Sequence, residues 1–218
     1  MTFPCTGFLY FSTCLAQSAE FQQTSVLPIV GQFLNRQHFK NPPLLQQGHQ
    51  VIQNRQNDEV DFYRNWSDYK TGFGDLRGNF WLGNEHIVSL TGTPSMLRLQ
   101  LESLNGTSGY AEYSVFQISS EKDNYRLSVD GFTGNISDSF TWNSGQQFST
   151  FDRDNDKDAD YNCAVGRGGS WWYRQCTRAN LNGMYKPPKW RRGIYWEGFY
   201  QQTDRTLMKT TKMLVKKP

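Results

Sequence analysis

Leu97-Arg98-Leu99-Gln100-Leu101-Glu102 is the stretch that settles the fold class. Three leucines alternate with an arginine, a glutamine and a glutamate. A period of two puts the apolar side chains on one face of an extended chain and the polar ones on the other. This is a half-buried strand of the kind antiparallel sheets carry when one face is packed and the other is wet. Downstream, Asn105-Gly106 signals a turn, and Tyr110 to Ile118 alternates again. Tyr125 to Val129 reads as a third strand, ended by Asp130-Gly131. Upstream the period is helical. Asn84 to Leu90 reads as a short helix begun at Gly83 or Asn84 and followed by Gly92. Asp61 to Gly72 reads as another, with Phe62, Trp66 and Tyr69 on one stripe. Val51 and Ile52 begin a strand before these helices, and Met213-Leu214-Val215 offers a last one. The fold class expected is α+β, a twisted antiparallel sheet with short helices.

After about Phe140 the regular pattern gives way to Gly, Asn, Asp and Trp. So long an irregular stretch inside a folded domain is functional, or is tied down by ions and disulfides. The composition agrees: 15% of the chain is aromatic and 19 residues are Gly. Large rings therefore supply much of the buried area of a loop-rich fold. The whole chain has 218 residues, enough for one substantial domain with an extra segment. Four segments are expected: 1–19, a candidate signal peptide; 20–49, poorly ordered or a linker; 50–140, a sheet-and-helix subdomain; and 141–218, the irregular subdomain with the final strand. The leader has an apolar centre at Phe8-Leu9-Tyr10-Phe11 and a small-x-small site at Cys14-Leu15-Ala16, but no charged start. No apolar run reaches the roughly 18 residues of a membrane-spanning helix. The net charge of +3 gives no footprint for nucleic acid.

Two of the four cysteines, Cys5 and Cys14, lie inside the leader. The remaining pair, Cys163 and Cys176, lacks metal-type spacing and reads as one disulfide in an oxidising compartment. The alternative is two buried thiols. Three glycosylation sequons, at Asn65, Asn105 and Asn135, favour the oxidising compartment.

The sharpest local signal is Asp152-Arg153-Asp154-Asn155-Asp156-Lys157-Asp158-Ala159-Asp160. Carboxylates at every second position repel one another unless a hard cation with oxygen ligands sits among them, and calcium suits a flexible loop. A solvated acidic loop is the alternative. It is not an EF-hand: Lys157 stands where that loop needs Gly, and Cys163 where it needs a bidentate Glu. Trp171-Trp172-Tyr173 beside Cys176 reads as core packing or a ligand platform. Lys186, Lys189, Arg191 and Arg192 around Trp190 read as a solvated loop or a basic rim for an anion. No GxSxG, HExxH or phosphate-cradling Gly loop is present, so the chain does not read as an enzyme. His38, His49 and His86 show no metal spacing.

At these residues the chain resembles the fibrinogen C-terminal domain family, which includes fibrinogen chains, ficolins, tachylectins, tenascins and angiopoietin-like proteins. The matching words are Val51-Ile52-Gln53-Asn54-Arg55-Gln56, Asp61-Phe62-Tyr63-Arg64-Asn65-Trp66, Gly72-Phe73-Gly74-Asp75-Leu76 and Phe80-Trp81-Leu82-Gly83-Asn84-Glu85. Later come Phe148-Ser149-Thr150-Phe151-Asp152, Asn162-Cys163-Ala164, Trp171-Trp172, Asn180-Leu181-Asn182-Gly183 and Gly193-Ile194-Tyr195-Trp196. The resemblance implies a sheet with short helices and a loop-built pole that binds Ca2+. Side chains of Asp154 and Asp156 and backbone oxygens of Asp158 and Asp160 would hold the ion. It also implies a Cys163–Cys176 disulfide and a cis Gln175–Cys176 peptide. A ligand pocket would be formed by Arg167, Gln175, Cys176, Thr177, Trp190 and Arg191. Thr177 replaces the His of acetyl-binding members. Arg167 and Arg191 stand where fibrinogen's gamma chain carries acids for a basic peptide, so the pocket is expected to prefer an acidic or sulfated ligand. The family's first subdomain, with its own cysteine pair, is missing or replaced before Val51. One extra residue separates the acidic loop from Cys163. The function expected is a secreted, extracellular, calcium-binding recognition module, lectin-like and binding acetylated or anionic glycans. The alternatives are a signalling ligand for a cell-surface receptor and a matrix or clotting module. No heptads or collagen repeats are visible to oligomerise it.

Overall fold

The structure is a computed structural model that describes residues 45–46, 48–200 and 205–217. The expected leader and residues 20–44 lie outside the described residues. In chain order the strands are β1 (Leu45–Gln46), β2 (His49–Arg55), β3 (Phe73–Gly74), β4 (Phe80–Trp81), β5 (Ser95–Ser103), β6 (Ser108–Ile118), β7 (Leu127–Gly134), β8 (Ala179–Asn180), β9 (Tyr195–Glu197) and β10 (Arg205–Lys216). The helices are α1 (Trp66–Thr71), α2 (Asn84–Leu90) and α3 (Cys163–Arg167). The main sheet runs β3-β4-β2-β10-β5-β6-β7, and its ladders are antiparallel. The α+β class expected from the sequence is the one observed.

The leucine stretch sits where its period puts it. Leu97, Leu99 and Leu101 are buried and face Tyr113, Ala111 and Gly109 of β6. On the opposite face Arg98 pairs with Glu112 at 2.6 Å, and Lys209 with Glu102 at 2.9 Å. The helix at Asn84–Leu90 also forms over the residues expected. Its Gly83 has φ +105°, and a Cβ there would lie 2.7 Å from the Thr71 carbonyl carbon, so only glycine lets the two helices meet.

Four expectations are corrected. The helix expected over Asp61–Gly72 starts at Trp66, because the Asn65 side chain accepts the Asp68 N–H at 2.8 Å as N-cap and the Asp61 carboxylate holds the Tyr63 N–H in a turn. The third strand begins at Leu127, since Asn124 and Tyr125 take left-handed backbone after a 3-10 turn. It continues past Asp130-Gly131, where the bare Gly131 lets Ser114 Oγ approach. The last strand is twelve residues long and central. Its alternation is hidden by bulges at Met208/Thr210 and Met213/Leu214. A buried Thr211 also fills a core position there, donating to Gln53 Oε1 at 3.0 Å. Finally, order begins before residue 50: Leu45 and Gln46 pair with Gln50 and His49, around Gly48 at φ +76°.

One core joins the sheet to the irregular segment. Trp171, Trp172 and Tyr173 are fully buried, so they pack and offer no exposed ligand platform. The Trp172 ring meets Phe148 at 5.2 Å, Phe140 at 5.9 Å and Phe116 of β6 at 6.4 Å. Its Nε1–H donates to the Tyr125 carbonyl at 2.7 Å.

Candidate functional site

The pole is built by polar side chains of the sheet reaching into loops. Gln53 on β2 donates to the Leu181 carbonyl at 3.0 Å and to Asn182 Oδ1 at 3.1 Å. Arg55, also on β2 and only 1% exposed, donates to the Gly183 carbonyl at 2.9 Å and lies 3.7 Å over the Phe62 ring. Burial pulls its guanidinium down to about 10. These contacts anchor Asn180-Leu181-Asn182-Gly183. Asn180 then donates to the carbonyls of Arg167 (3.2 Å) and Gly193 (2.9 Å) and accepts the Tyr173 hydroxyl at 2.8 Å. One side chain thereby ties the end of α3 to the 3-10 turn Trp190–Arg192.

Cys163 and Cys176 are joined, with Cα atoms 5.4 Å apart, and the Gln175–Cys176 peptide is cis. A disulfide closing a loop of this size contributes about 3 kcal/mol in the chain-entropy description. It also pins the start of α3, which Asn162 caps by accepting the Val165 N–H at 2.9 Å.

The acidic run divides its labour. Asp152 is structural: it accepts the Trp66 N–H at 3.0 Å and the Thr150 hydroxyl at 2.7 Å. Arg153 stacks 4.0 Å over Trp66. Asp156 accepts the N–H groups of Asp158 and Cys163, each at 2.8 Å, and Asp154 accepts the Asp156 N–H at 3.2 Å. Burial, with the Asp154 carboxyl alongside, pushes the Asp156 carboxyl up to about 6. Two adjacent carboxylates, one partly desolvated, form a hard oxygen donor set of the kind calcium takes. Among the described residues the four acids do not converge through their side chains. The group of three potential ligands that does converge is Asp158 with Cys163 and Cys176. Those sulfurs are already bonded to each other, so that group is not a thiolate metal site.

Beside the loop lies a cavity of about 520 Å3, lined by residues including Asp158, Arg167, Gln175, Cys176, Arg191 and Arg192. Tyr161, Val165, Gly166 and Lys189 complete it. Four of the six residues expected in a pocket therefore come together: Arg167, Gln175, Cys176 and Arg191. The other two do not line it. Thr177 is 7% exposed, and its hydroxyl donates to the Ala179 carbonyl at 2.7 Å and bonds with Asn143, which makes it a bracket of the core. Trp190 packs edge-on against Tyr195 with ring centroids 5.7 Å apart, outside the cavity. The sequence gives no direct sign of Tyr161, Val165 or Gly166, because Tyr161 and Val165 are exposed residues that reach the cavity wall only once Asn162 and the disulfide have set the direction of α3.

The cavity is cationic. Arg167, Lys189, Arg191 and Arg192 surround it, and none makes an ion pair with a described carboxylate. The Nε atoms of Arg167 and Arg192 are buried without a hydrogen-bond partner. Burial pushes the nearby Tyr195 hydroxyl up to about 12, and Arg167 limits that rise. Among the sequons, Asn105 and Asn135 are exposed, whereas Asn65 is half-buried at the start of α1.

Comparison with known proteins places this geometry. The family described as fibrinogen beta and gamma chains, C-terminal globular domain, matches residues 43–218. Angiopoietin-related protein 7 of Mus musculus is 45% identical over 158 residues, covering 70% of this chain and 47% of that protein. Ficolin-3 of Homo sapiens is 44% identical over 137 residues, covering 62% of this chain and 46% of that protein. The chain thus spans about half the length of these relatives. The solved fibrinogen-like globe domain of human ANGPTL2 superposes with a TM-score of 0.72 at 37% identity, covering 78% of this chain and 81% of that one. With the fold, the disulfide and the family match in agreement, this chain belongs to the fibrinogen C-terminal globular domain family.

Proposed function

We propose that the chain is a secreted recognition module in which calcium orders the loop at Asp154, Asp156, Asp158 and Asp160, and the adjoining cavity takes an anionic group. The carrier of that group is a glycan, in a lectin-like role. The observation that carries this reading is the set of four cations around the cavity, none of which pairs with a described carboxylate. Carboxylate and sulfate oxygens accept strong, charge-assisted hydrogen bonds from guanidinium and ammonium groups. Of the acetylated and anionic ligands expected, the anionic ones fit. The Cys163–Cys176 disulfide supports an extracellular setting. The 45% identity to angiopoietin-related protein 7 favours a second reading, a ligand for a cell-surface receptor.

Thermal unfolding of the full chain in calcium and in EDTA tests the first half. At a hundredfold excess over Kd, calcium adds about 2.7 kcal/mol, or roughly 5–10 °C in Tm for a domain of this size. Asp154→Ala removes the shift; an equal Tm in calcium and EDTA defeats the metal reading. A panel of sulfated, carboxylated and neutral acetylated sugars tests the second half. Preference for the charged members, lost in the Arg167→Ala/Arg191→Ala double variant, is expected. Equal binding by parent and variant ends the anionic reading. Saturable binding to one cell-surface protein, with no sugar bound, selects the receptor reading.

A further inference from the structure

Beside the cavity, two tryptophans and four arginines form an arrangement that shares only Arg191 with it. Trp142, in the 3-10 turn Thr141–Asn143, is 39% exposed, and Trp190 is 38% exposed. The guanidiniums of Arg174 and Arg178 lie 4.5 Å and 4.4 Å from the centroid of Trp142. Those of Arg191 and Arg205 lie 5.5 Å and 5.1 Å from the centroid of Trp190. Glu197 joins the two groups: Arg205 Nε is 2.8 Å from one of its carboxylate oxygens and Arg178 Nε 3.8 Å from the other.

The backbone fixes the spacing of this strip. Glu197 is the ladder partner of Arg205 across β9 and β10, and its own N–H donates to the Arg178 carbonyl at 2.9 Å. Arg178 and Arg205 therefore flank Glu197 from neighbouring segments, roughly 9–10 Å apart at the usual strand spacing. Arg174 shares the Trp142 ring with Arg178, and Arg191 carries the set to the rim of the cavity. Among the described residues the strip holds four exposed guanidiniums and one carboxylate, in a chain whose net charge is only +3. An aromatic face under a guanidinium restrains its plane and leaves the N–H edge pointing to solvent. Side-chain entropy that binding would otherwise cost is already partly lost.

We propose that this strip is a docking track for a linear sulfated polysaccharide. Planar forks on a fixed spacing match sulfate oxygens, which repeat along such a chain, better than flexible lysines do. Single-stranded nucleic acid is disfavoured because it needs open aromatic faces for its bases, and guanidiniums cover the two rings here. The track shares only Arg191 with the cavity, so variants at Arg174 and Arg178 test it apart from the cavity.

The test is titration of the full chain with size-defined heparin oligosaccharides over a range of salt concentrations. Log affinity should fall linearly with log salt, and Arg174→Ala/Arg178→Ala should reduce the slope by about two, one for each sulfate no longer neutralised. The same variant should lose at least tenfold in affinity at physiological salt. Trp142→Leu should weaken binding while leaving the slope unchanged, because it removes the platform and not the charge. Arg178→Lys guards against a folding artefact: it keeps the charge, loses the fork and should still lose affinity several-fold. Tm values matching the parent confirm that each variant is folded. The proposal is overturned if the double variant binds heparin as the parent does. It is equally overturned if desulfated heparin, or single-stranded DNA of equal charge, binds as tightly. A sulfated monosaccharide, which reaches only the cavity, should bind the Arg174/Arg178 variant normally and the Arg167→Ala variant weakly, so failure of the cavity reading shows up separately.

Discussion

The sheet and the pole are the same chain built by two different rules. In the sheet, position follows from period. Leu97, Leu99 and Leu101 are inward because they are two residues apart, and the same logic covers Tyr113 and Ala111 opposite them. In the pole, position follows from individual hydrogen bonds. Asn180 is where it is because three partners fix it: the carbonyls of Arg167 and Gly193 and the Tyr173 hydroxyl. A periodic arrangement tolerates exchange among apolar residues of similar volume. An arrangement held bond by bond does not, since removing any one partner leaves a buried polar group unmet.

The hardest way to break that contrast is to ask whether the two regions are separable at all. Trp172 belongs to the pole in sequence but to the sheet in space, touching Phe116 of β6, Phe148 and Phe140. Trp172→Ala is expected to cost about 3–5 kcal/mol and to lower the denaturant midpoint of both regions together. Far-UV circular dichroism and tryptophan fluorescence should report one transition before and after the change. Two resolved transitions would show that the pole folds on its own. A smaller effect follows at the anchor between them. Arg55→Met keeps much of the volume and the packing on Phe62, but strips the Gly183 carbonyl of its donor. It should cost about 2–3 kcal/mol and raise amide exchange at residues 180–184 more than in β5 or β6. Uniform exchange changes would mean that Arg55 serves the whole core rather than the pole.

Legibility in the sequence divides along the same line. The strands around Leu97–Leu101 and Tyr110–Ile118, and the helix at Asn84–Leu90, are readable because a wet face and a dry face leave a period in the residues. The last strand is readable only at Met213-Leu214-Val215. Two bulges and the buried Thr211 conceal the rest of its twelve residues. The start of α1 is hidden by a cap, Asn65, that acts by one hydrogen bond and has no periodicity. In the candidate site, the acidic run and the two cysteines stand out by composition and spacing. Arg167, Gln175, Cys176 and Arg191 are placed by resemblance to a family and not by any period. Thr177 and Trp190 come with them and lie elsewhere, since motif position says nothing about which way a side chain turns. The Trp142 strip is invisible, because β9 and β10 bring Arg205 beside Arg178 across Glu197 from separate parts of the chain.

The smallest expected effect concerns the seam where the helices meet the first residues of the acidic run. Glu121 accepts the Trp66 Nε1–H at 2.8 Å and pairs with Lys70 Nζ at 2.5 Å, while Arg153 stands 3.8 Å away and stacks on the same tryptophan. The hydrogen bond from Lys70, then that from Trp66, hold the Glu121 carboxyl below its ordinary value. The sign of the linkage follows from that depression. Its stabilisation is fully present above the unfolded value near 4.5 and is lost as pH falls through the lower folded value. The pair is partly exposed, so the loss is no more than about 1 kcal/mol. Glu121→Gln should therefore flatten the stability curve below pH 4.5 by that amount and leave it parallel to the parent at neutral pH. Stability measured by urea unfolding from pH 3 to 7 reads both limbs. A parallel offset across the whole range would make Glu121 a hydrogen-bond acceptor for Trp66 and no more. A deficit of Glu121→Gln at neutral pH that closes as pH falls below about 4.5 would mean that charge, as well as packing, closes the seam between the periodic half of the molecule and the half assembled bond by bond.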